Sequence, residues 1–219
     1  MISLYSLAHL RDLPVATWDA LVPAGQPFLR HAFLTAMEDS GSVVPATGWA
    51  AEHLILERDG QVRAVLPAYR KWHSFGEYVF DHGWADACER AGIAYYPKLL
   101  GAVPFSPVSG PRLLTDDPAD GLLLLQAPPE YLGKGGLSGA HINFTDSALD
   151  QSIAGLPGWL ERLGCQFHWR NQSYRDFLDL LDTLSSRKRK QMRKEREQVL
   201  GQGIDFQWYR GDELSQAQW

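Results

Sequence analysis

The sequence predicts a mixed α/β fold. Three observations carry this. Short runs rich in Val, Ile, Leu and aromatics alternate along the chain with stretches whose apolar residues recur at helical spacing. Asp59-Gly60 lies between two strand-like runs, the signature of an antiparallel hairpin. Leu29, Ala32, Phe33, Ala36 and Met37 fall at i, i+3, i+4, i+7 and i+8, one continuous helical face.

Taken in order, Thr17 to Val22 reads as a short helix with Trp18 and Leu21 inward, and Pro27 opens the helix of that apolar face. Gly41 stops it, with Glu38 and Asp39 in the last turn, where the helix dipole disfavours acids. His53 to Glu57 and Val62 to Tyr69 read as strands around Asp59-Gly60, with Pro67 marking an edge, a bulge or an end. Glu77 to Phe80 reads as a third strand, Ala85 to Ala91 as a helix stopping at Gly92, and Ala94 to Ala102 as a helix interrupted by Pro97. Val103 to Pro111 is a shaped loop of Pro, Gly and Ser, and a strand restarts at Arg112 to Leu114.

Pro118 to Gln126, with four consecutive leucines, reads as a well-buried helix. His141 to Phe144 and Cys165 to Arg170 read as strands, with short helices between Leu149 and Leu163. Ser173 with Asp176 resembles a capping box before a helix bearing Phe177, Leu178, Leu181 and Leu184. Ser185 and Ser186 cap a basic helix that ends near Gly201. Ile204 to Tyr209 reads as a strand, and Asp212 as the N-cap of a helix running from Glu213 to Trp219.

The 219 residues are 45% hydrophobic and 21% charged, which excludes wholesale disorder and repeat polymers. No apolar run approaches the length that spans a bilayer, and Met1 to Arg11 lacks the pattern of a signal peptide. Cys88 and Cys165 are too few for a disulfide scaffold or a zinc site, so a cytoplasmic location and no metal are expected. Gly133 to Gly139 lacks the P-loop lysine pattern, and Gly-X-Ser-X-Gly and a dinucleotide fingerprint are absent.

The net charge of −5 conceals an asymmetry. Arg187 to Arg196 (RKRKQMRKER) holds seven basic residues and one acid, a local charge of +6 on an otherwise acidic chain. Its cations crowd the positive end of a helix dipole and repel one another at i, i+4, which a bound polyanion would relieve. Arg187, Lys188, Arg189, Lys190, Arg193, Lys194 and Arg196 are therefore the expected phosphate or anion ligands.

Lys71 to Trp84 (KWHSFGEYVFDHGW) sets charged and polar groups among aromatics, as a substrate groove does. Glu77 and Asp81 are the candidate general bases. Lys71, His73, Trp84, Tyr95, Tyr96, Lys98 and Phe105 are the candidate substrate contacts. His9, His31 and His53 read as ordinary residues.

Phe28 to Leu34, HSFGEYVFDHGWADACERAG, YYPKLLGAVPFSPVSGPRLL, QFHWRNQSY and SSRKRKQMRKER together resemble a bacterial family of FemAB-like predicted N-acyltransferases of the GNAT (acyl-CoA N-acyltransferase) superfamily. The resemblance runs along nearly the whole chain. It implies a GNAT-like mixed, splayed β-sheet flanked by helices, a FemAB-type first module over residues 1–200, and the start of a second module at 201–219 that full members complete. It implies acyl or aminoacyl transfer to a small-molecule or peptide amine, including a peptidoglycan-related precursor. The donor would be acyl-CoA or aminoacyl-tRNA, a polyphosphate-bearing substrate rather than a tightly bound cofactor. The usual GNAT pyrophosphate loop, Gln/Arg-x-x-Gly-x-Gly/Ala, is not evident. The alternative is a non-catalytic GNAT-fold module that binds RNA, tRNA or another polyanion through the basic helix.

Overall fold

A computed structural model describes residues 1–218. Contacts group the chain into two compact units, Met1–Arg162 and Leu163–Trp219. The expected module seam at 200/201 falls inside the second unit.

The first unit is mixed α/β with two four-stranded sheets. One sheet contains β1 (Ile2–Leu7), β3 (His53–Arg58), β4 (Gln61–Leu66) and β7 (Leu114–Thr115), in that order and all antiparallel. The other contains β2 (Trp49–Ala51), β5 (Ala68–Lys71), β6 (Lys98–Gly101) and β8 (Ala140–Ile142), the last pair parallel. The Asp59-Gly60 turn joins β3 to β4 with φ of 53° and 79°, both in the left-handed region that such a hairpin demands.

Beyond that turn both arms of the hairpin change sheets, one at Glu52 and the other at Pro67. Pro67 has no N–H to give a ladder, and His53 bridges the break. Its Nδ1 accepts from the Ala68 N–H at 3.2 Å. The other ring nitrogen, Nε2, therefore carries the proton and donates to Glu38 Oε1 at 2.9 Å.

α1 (Val15–Ala20) and α2 (His31–Asp39), with a 3₁₀ turn at Pro27–Leu29, pack Trp18, Leu29 and Leu34 against Ile55 and Val65. Alternate residues Leu54, Leu56, Ala64 and Leu66 face the other way, onto Leu124 of α4 (Pro118–Gln126) and Leu137. Both faces of the first sheet are thus covered. A third cluster joins Val43, Trp49, Tyr69, Leu100 and Ala102 across the second sheet.

The acids at the end of α2 are anchors. Glu38 is buried and accepts from the Leu10 N–H at 2.9 Å as well as from His53, while Asp39 pairs with Arg11. Burial pushes the Glu38 carboxyl up, but His53 and the Leu10 amide outweigh it and hold the pKa below the usual value.

Several sequence expectations are corrected. Residues 77–80 form a loop, not a strand. Residues 94–102 contain β6, not a helix, because a strand buried on both faces is as continuously apolar as a helical core segment. β1 and β2 went unread because neither shows clean alternation.

α3 (His82–Arg90) and α5 (Pro128–Gly135) flank the loops, and α6 (Ser147–Ile153) is capped by Asp146. In the second unit, α7 (Phe177–Asp182) is capped by Asp176, which accepts from the Leu178 and Asp179 amides, rather than by Ser173. α8 (Ser186–Leu200) is the basic helix. Residues 165–170 and 204–209 alternate like strands but find no pairing strand among the described residues. The last expected helix is a 3₁₀ turn at Gly211–Glu213, and Trp219, where it was to end, lies outside the described residues.

Candidate functional site

Antiparallel pairing sets Lys71, the last residue of β5, opposite Lys98, the first of β6. Both side chains are fully buried on a shared face of the sheet, and two ammonium groups cannot stay there without acids. The loop at 72–81 supplies them. Lys98 Nζ donates to Asp81 Oδ2 at 2.7 Å, to Glu77 Oε2 at 2.9 Å and to Ser74 Oγ at 2.9 Å. The Tyr95 hydroxyl donates to the same Asp81 oxygen at 2.7 Å, and Ser74 and Tyr96 share a hydroxyl contact of 2.8 Å. Lys71 Nζ lies 3.5 Å from the Trp49 ring centroid and donates to the Phe75 carbonyl at 3.1 Å.

The electrostatics separate the two acids. Burial pushes both carboxyls up. At Asp81 the hydrogen bonds from Lys98, Ser74 and Tyr95 win, bringing the pKa to about 2. At Glu77 burial wins and the pKa is raised, despite Lys98. Burial, with Lys98 nearby, brings Lys71 down to about 7 although Glu77 opposes this. Glu77 Oε1, Asp81 Oδ1, Trp49 Nε1 and the Tyr69 hydroxyl are buried without a protein partner. His141 on β8 stands edge-on to Tyr95 at 5.7 Å between centroids, and burial and Lys98 lower its pKa to about 4.

Beside this network lies a cleft of about 440 Å³ lined by Ser42, Thr47, Trp49, His73, Phe75, Gly76 and Phe105. Two left-handed glycines let lining residues approach closely, Gly76 in the lining itself and Gly48 between the lining residues Thr47 and Trp49. A Cβ on Gly48 (φ 74°) would lie 1.9 Å from His73 Nε2, and one on Gly76 (φ 80°) 2.6 Å from the Phe105 ring. His73 Nδ1 accepts the Phe75 N–H at 3.2 Å, so the imidazole is fixed against the backbone on both sides.

The structure therefore brings together Lys71, Glu77, Asp81, Tyr95, Tyr96 and Lys98, and places His73 and Phe105 on the cleft. Trp84 stands apart, exposed, with the Arg162 guanidinium 5.3 Å from its ring centroid. The sequence reading passed over Ser74, Trp49, Tyr69 and His141. Ser74 had the signal of lying within the aromatic-polar run 71–84, Tyr69 and His141 read only as strand positions, and Trp49, well before that run, carried no local signal.

On α8, Ser186, Arg189, Lys190, Arg193, Lys194 and Glu197 line a shallow groove of about 450 Å³. Arg189 is held by Asp182 at 3.2 Å and the Leu184 carbonyl at 3.2 Å, and Arg196 lies over the Phe177 ring. Among the described residues Arg187, Lys188, Lys190, Arg193 and Lys194 make no ion pair, and Ser185 makes no side-chain cap. The basic run thus lies along one helix as expected, with Arg189 alone among its seven cations paired to a carboxylate among the described residues.

The family model for FemAB-like proteins, described as peptidoglycan biosynthesis/recognition, matches residues 9–219. The chain belongs to the FemAB-like family. No curated protein matches it. Among solved structures it is similar to an aminoglycoside acetyltransferase from an uncultured soil metagenomic sample, crystallised with trehalose. That likeness has 13% identity and a TM-score of 0.39, covering 78% of this chain and 97% of the other. Among the described residues of this FemAB-like chain, no helix is long and apolar enough to cross a membrane.

Proposed function

We propose that this FemAB-like protein transfers an acyl or aminoacyl group from a polyphosphate-bearing donor to an amine on a peptidoglycan-related acceptor. The observation that carries the reading is the family match over residues 9–219. The split hairpin joining two sheets, with a parallel β6–β8 pair, supports a GNAT-like architecture beneath it.

In this reading the acceptor occupies the cleft between His73, Phe75 and Phe105, where hydroxyls of Ser42 and Thr47 border aromatic rings. Its neutral amine attacks the donor carbonyl carbon. A C–N bond forms, the C–S bond of a thioester or C–O bond of an ester breaks, and the thiol or hydroxyl leaves. Glu77 takes the amine proton and passes it to the departing sulfur or oxygen: its pKa is raised, its Oε1 has no partner, and its neighbour Gly76 lines the cleft. Asp81 stays ionised and, with Lys98, fixes the loop that carries Glu77.

α8 holds the donor phosphates. Arg189/Lys190 and Arg193/Lys194 form two basic pairs about 6 Å apart along the helix, a spacing that suits two separate phosphate groups. The basic run equally favours a second reading, a non-catalytic module for RNA or another polyanion. Replacing Arg189 and Arg193 with Gln separates the two. Binding lost only for acyl-CoA or aminoacyl-tRNA supports the transferase; uniform loss across all polyanions supports the module.

A further inference from the structure

Phe75 has its backbone held from both sides. Its N–H donates to His73 Nδ1 at 3.2 Å, and its carbonyl accepts from Lys71 Nζ at 3.1 Å. The same Nζ lies 3.5 Å from the centre of the Trp49 ring. Phe75 and Trp49 both line the cleft, one on the 72–81 loop and the other on β2. One ammonium group therefore ties together two cleft-lining residues from different elements. Strand register puts it there. Lys71 pairs with Trp49 on one side and with Lys98 on the other, so the three side chains leave the same face of the second sheet.

A cation is costly at this position. Lys71 is fully buried, while Glu77 and Asp81 bond Lys98 instead, and among the described residues Lys71 makes no ion pair. A methionine of similar length would fill the space without desolvating an ammonium group. Methionine could not donate to the Phe75 carbonyl or rest as a cation on the Trp49 face. Packing alone does not call for the charge, because Trp49 also clusters with Val43, Tyr69, Leu100 and Ala102.

We propose that Lys71 is a positioning residue for this cleft: its ammonium form pins the Phe75 backbone to the Trp49 ring and so shapes the wall that receives the acceptor. It acts through those two residues, in place of the direct substrate contact that the sequence suggests. That the occupant is an amine acceptor rests on the transferase reading; the pin itself does not.

The pin depends on a proton. Glu77 of the loop favours the charged form of Lys71, whereas burial and Lys98 of β6 oppose it and bring the pKa to about 7. His73 faces the same group, and burial together with the Lys71 charge holds it below its ordinary value. Tyr69, two residues earlier on the same face of β5, is kept protonated by burial. Rising pH therefore removes the cation and loosens the wall.

Two readouts test this. In the ligand-free full chain, the Trp49 indole ¹⁵N–¹H signal, identified by its loss in Trp49→Phe, should titrate with a midpoint at about pH 7. Lys71→Arg, charged throughout, should hold the signal at its low-pH position. Lys71→Met should abolish the titration and raise Tm, whereas a lysine needed only for structure would lower Tm. In the transfer assay with a peptidoglycan precursor peptide as acceptor, the wild-type KM should rise at least about tenfold between low and high pH. It should stay low in Lys71→Arg and be high throughout in Lys71→Met. The titration of the acceptor amine is common to all three proteins, so the differences between them isolate Lys71. A Trp49 signal that does not titrate overturns the proposal. So does a titration that persists in Lys71→Arg, which would belong to Glu77 or His73, and so does one KM profile shared by all three proteins. An acceptor left unmodified by every protein counts against the transferase reading, and the indole titration then decides the pin by itself.

Discussion

Lys98 Nζ and Asp81 Oδ2 lie 2.7 Å apart with both side chains wholly enclosed. This contact ties β6 to the loop that follows β5, and Glu77 and Ser74 join it on the same ammonium group. Removing one partner of such a pair leaves a buried charge unmatched. Lys98→Met should therefore cost about 3–5 kcal/mol in denaturant unfolding. Adding Glu77→Gln and Asp81→Asn should recover part of that loss, because the stranded carboxylates are then neutral.

Lys71 behaves in the opposite way. Its pKa of about 7 in the fold lies below 10.5, so from pH 7 to 10.5 the unfolded chain holds a proton that the folded chain does not. Stability should rise with pH across that window. Lys71→Met keeps the shape and removes the penalty. It should stabilise the protein by about 1–3 kcal/mol near neutral pH and flatten the slope, as read from Tm at pH 7 and pH 9.

His141 predicts an acid-side effect. Its folded pKa of about 4 lies below the ordinary 6.5 because burial and the Lys98 charge disfavour imidazolium. The unfolded chain therefore binds more protons between pH 6.5 and 4. The contribution of His141 is present above pH 6.5 and is lost as pH falls toward 4. His141→Phe should flatten the Tm profile in that interval.

Gly48→Ala should destabilise by about 1–3 kcal/mol, since the new methyl meets His73 Nε2 at 1.9 Å on a backbone of φ 74°. Combining it with His73→Ala should return the steric part but not the backbone part. Thermal unfolding of the single and double variants measures both.

The elements legible in the sequence were those whose signal is local. Asp59-Gly60 fixed its hairpin, the Leu29 to Met37 stripe its helix, and the basic run α8. What escaped depends on partners distant in sequence. Residues 94–102 look helical until their pairing with β5 and β8 is known. Glu77 and Asp81 stood out as carboxylates among aromatics, but nothing local says that Lys98 encloses them. Pro67 announced a break, whereas its consequence, a hairpin shared by two sheets, needed His53 and Glu38 to be seen together.

The most direct test of the account is a transfer reaction followed by mass spectrometry. The full-length protein is mixed with an amine-bearing peptidoglycan precursor peptide and either acyl-CoA or aminoacyl-tRNA. The account predicts an acceptor carrying one added acyl or aminoacyl group, with yield reduced at least about tenfold by Glu77→Gln and by Arg189→Gln with Arg193→Gln. An unmodified acceptor with both donors, from protein that binds polyanions normally, would contradict it.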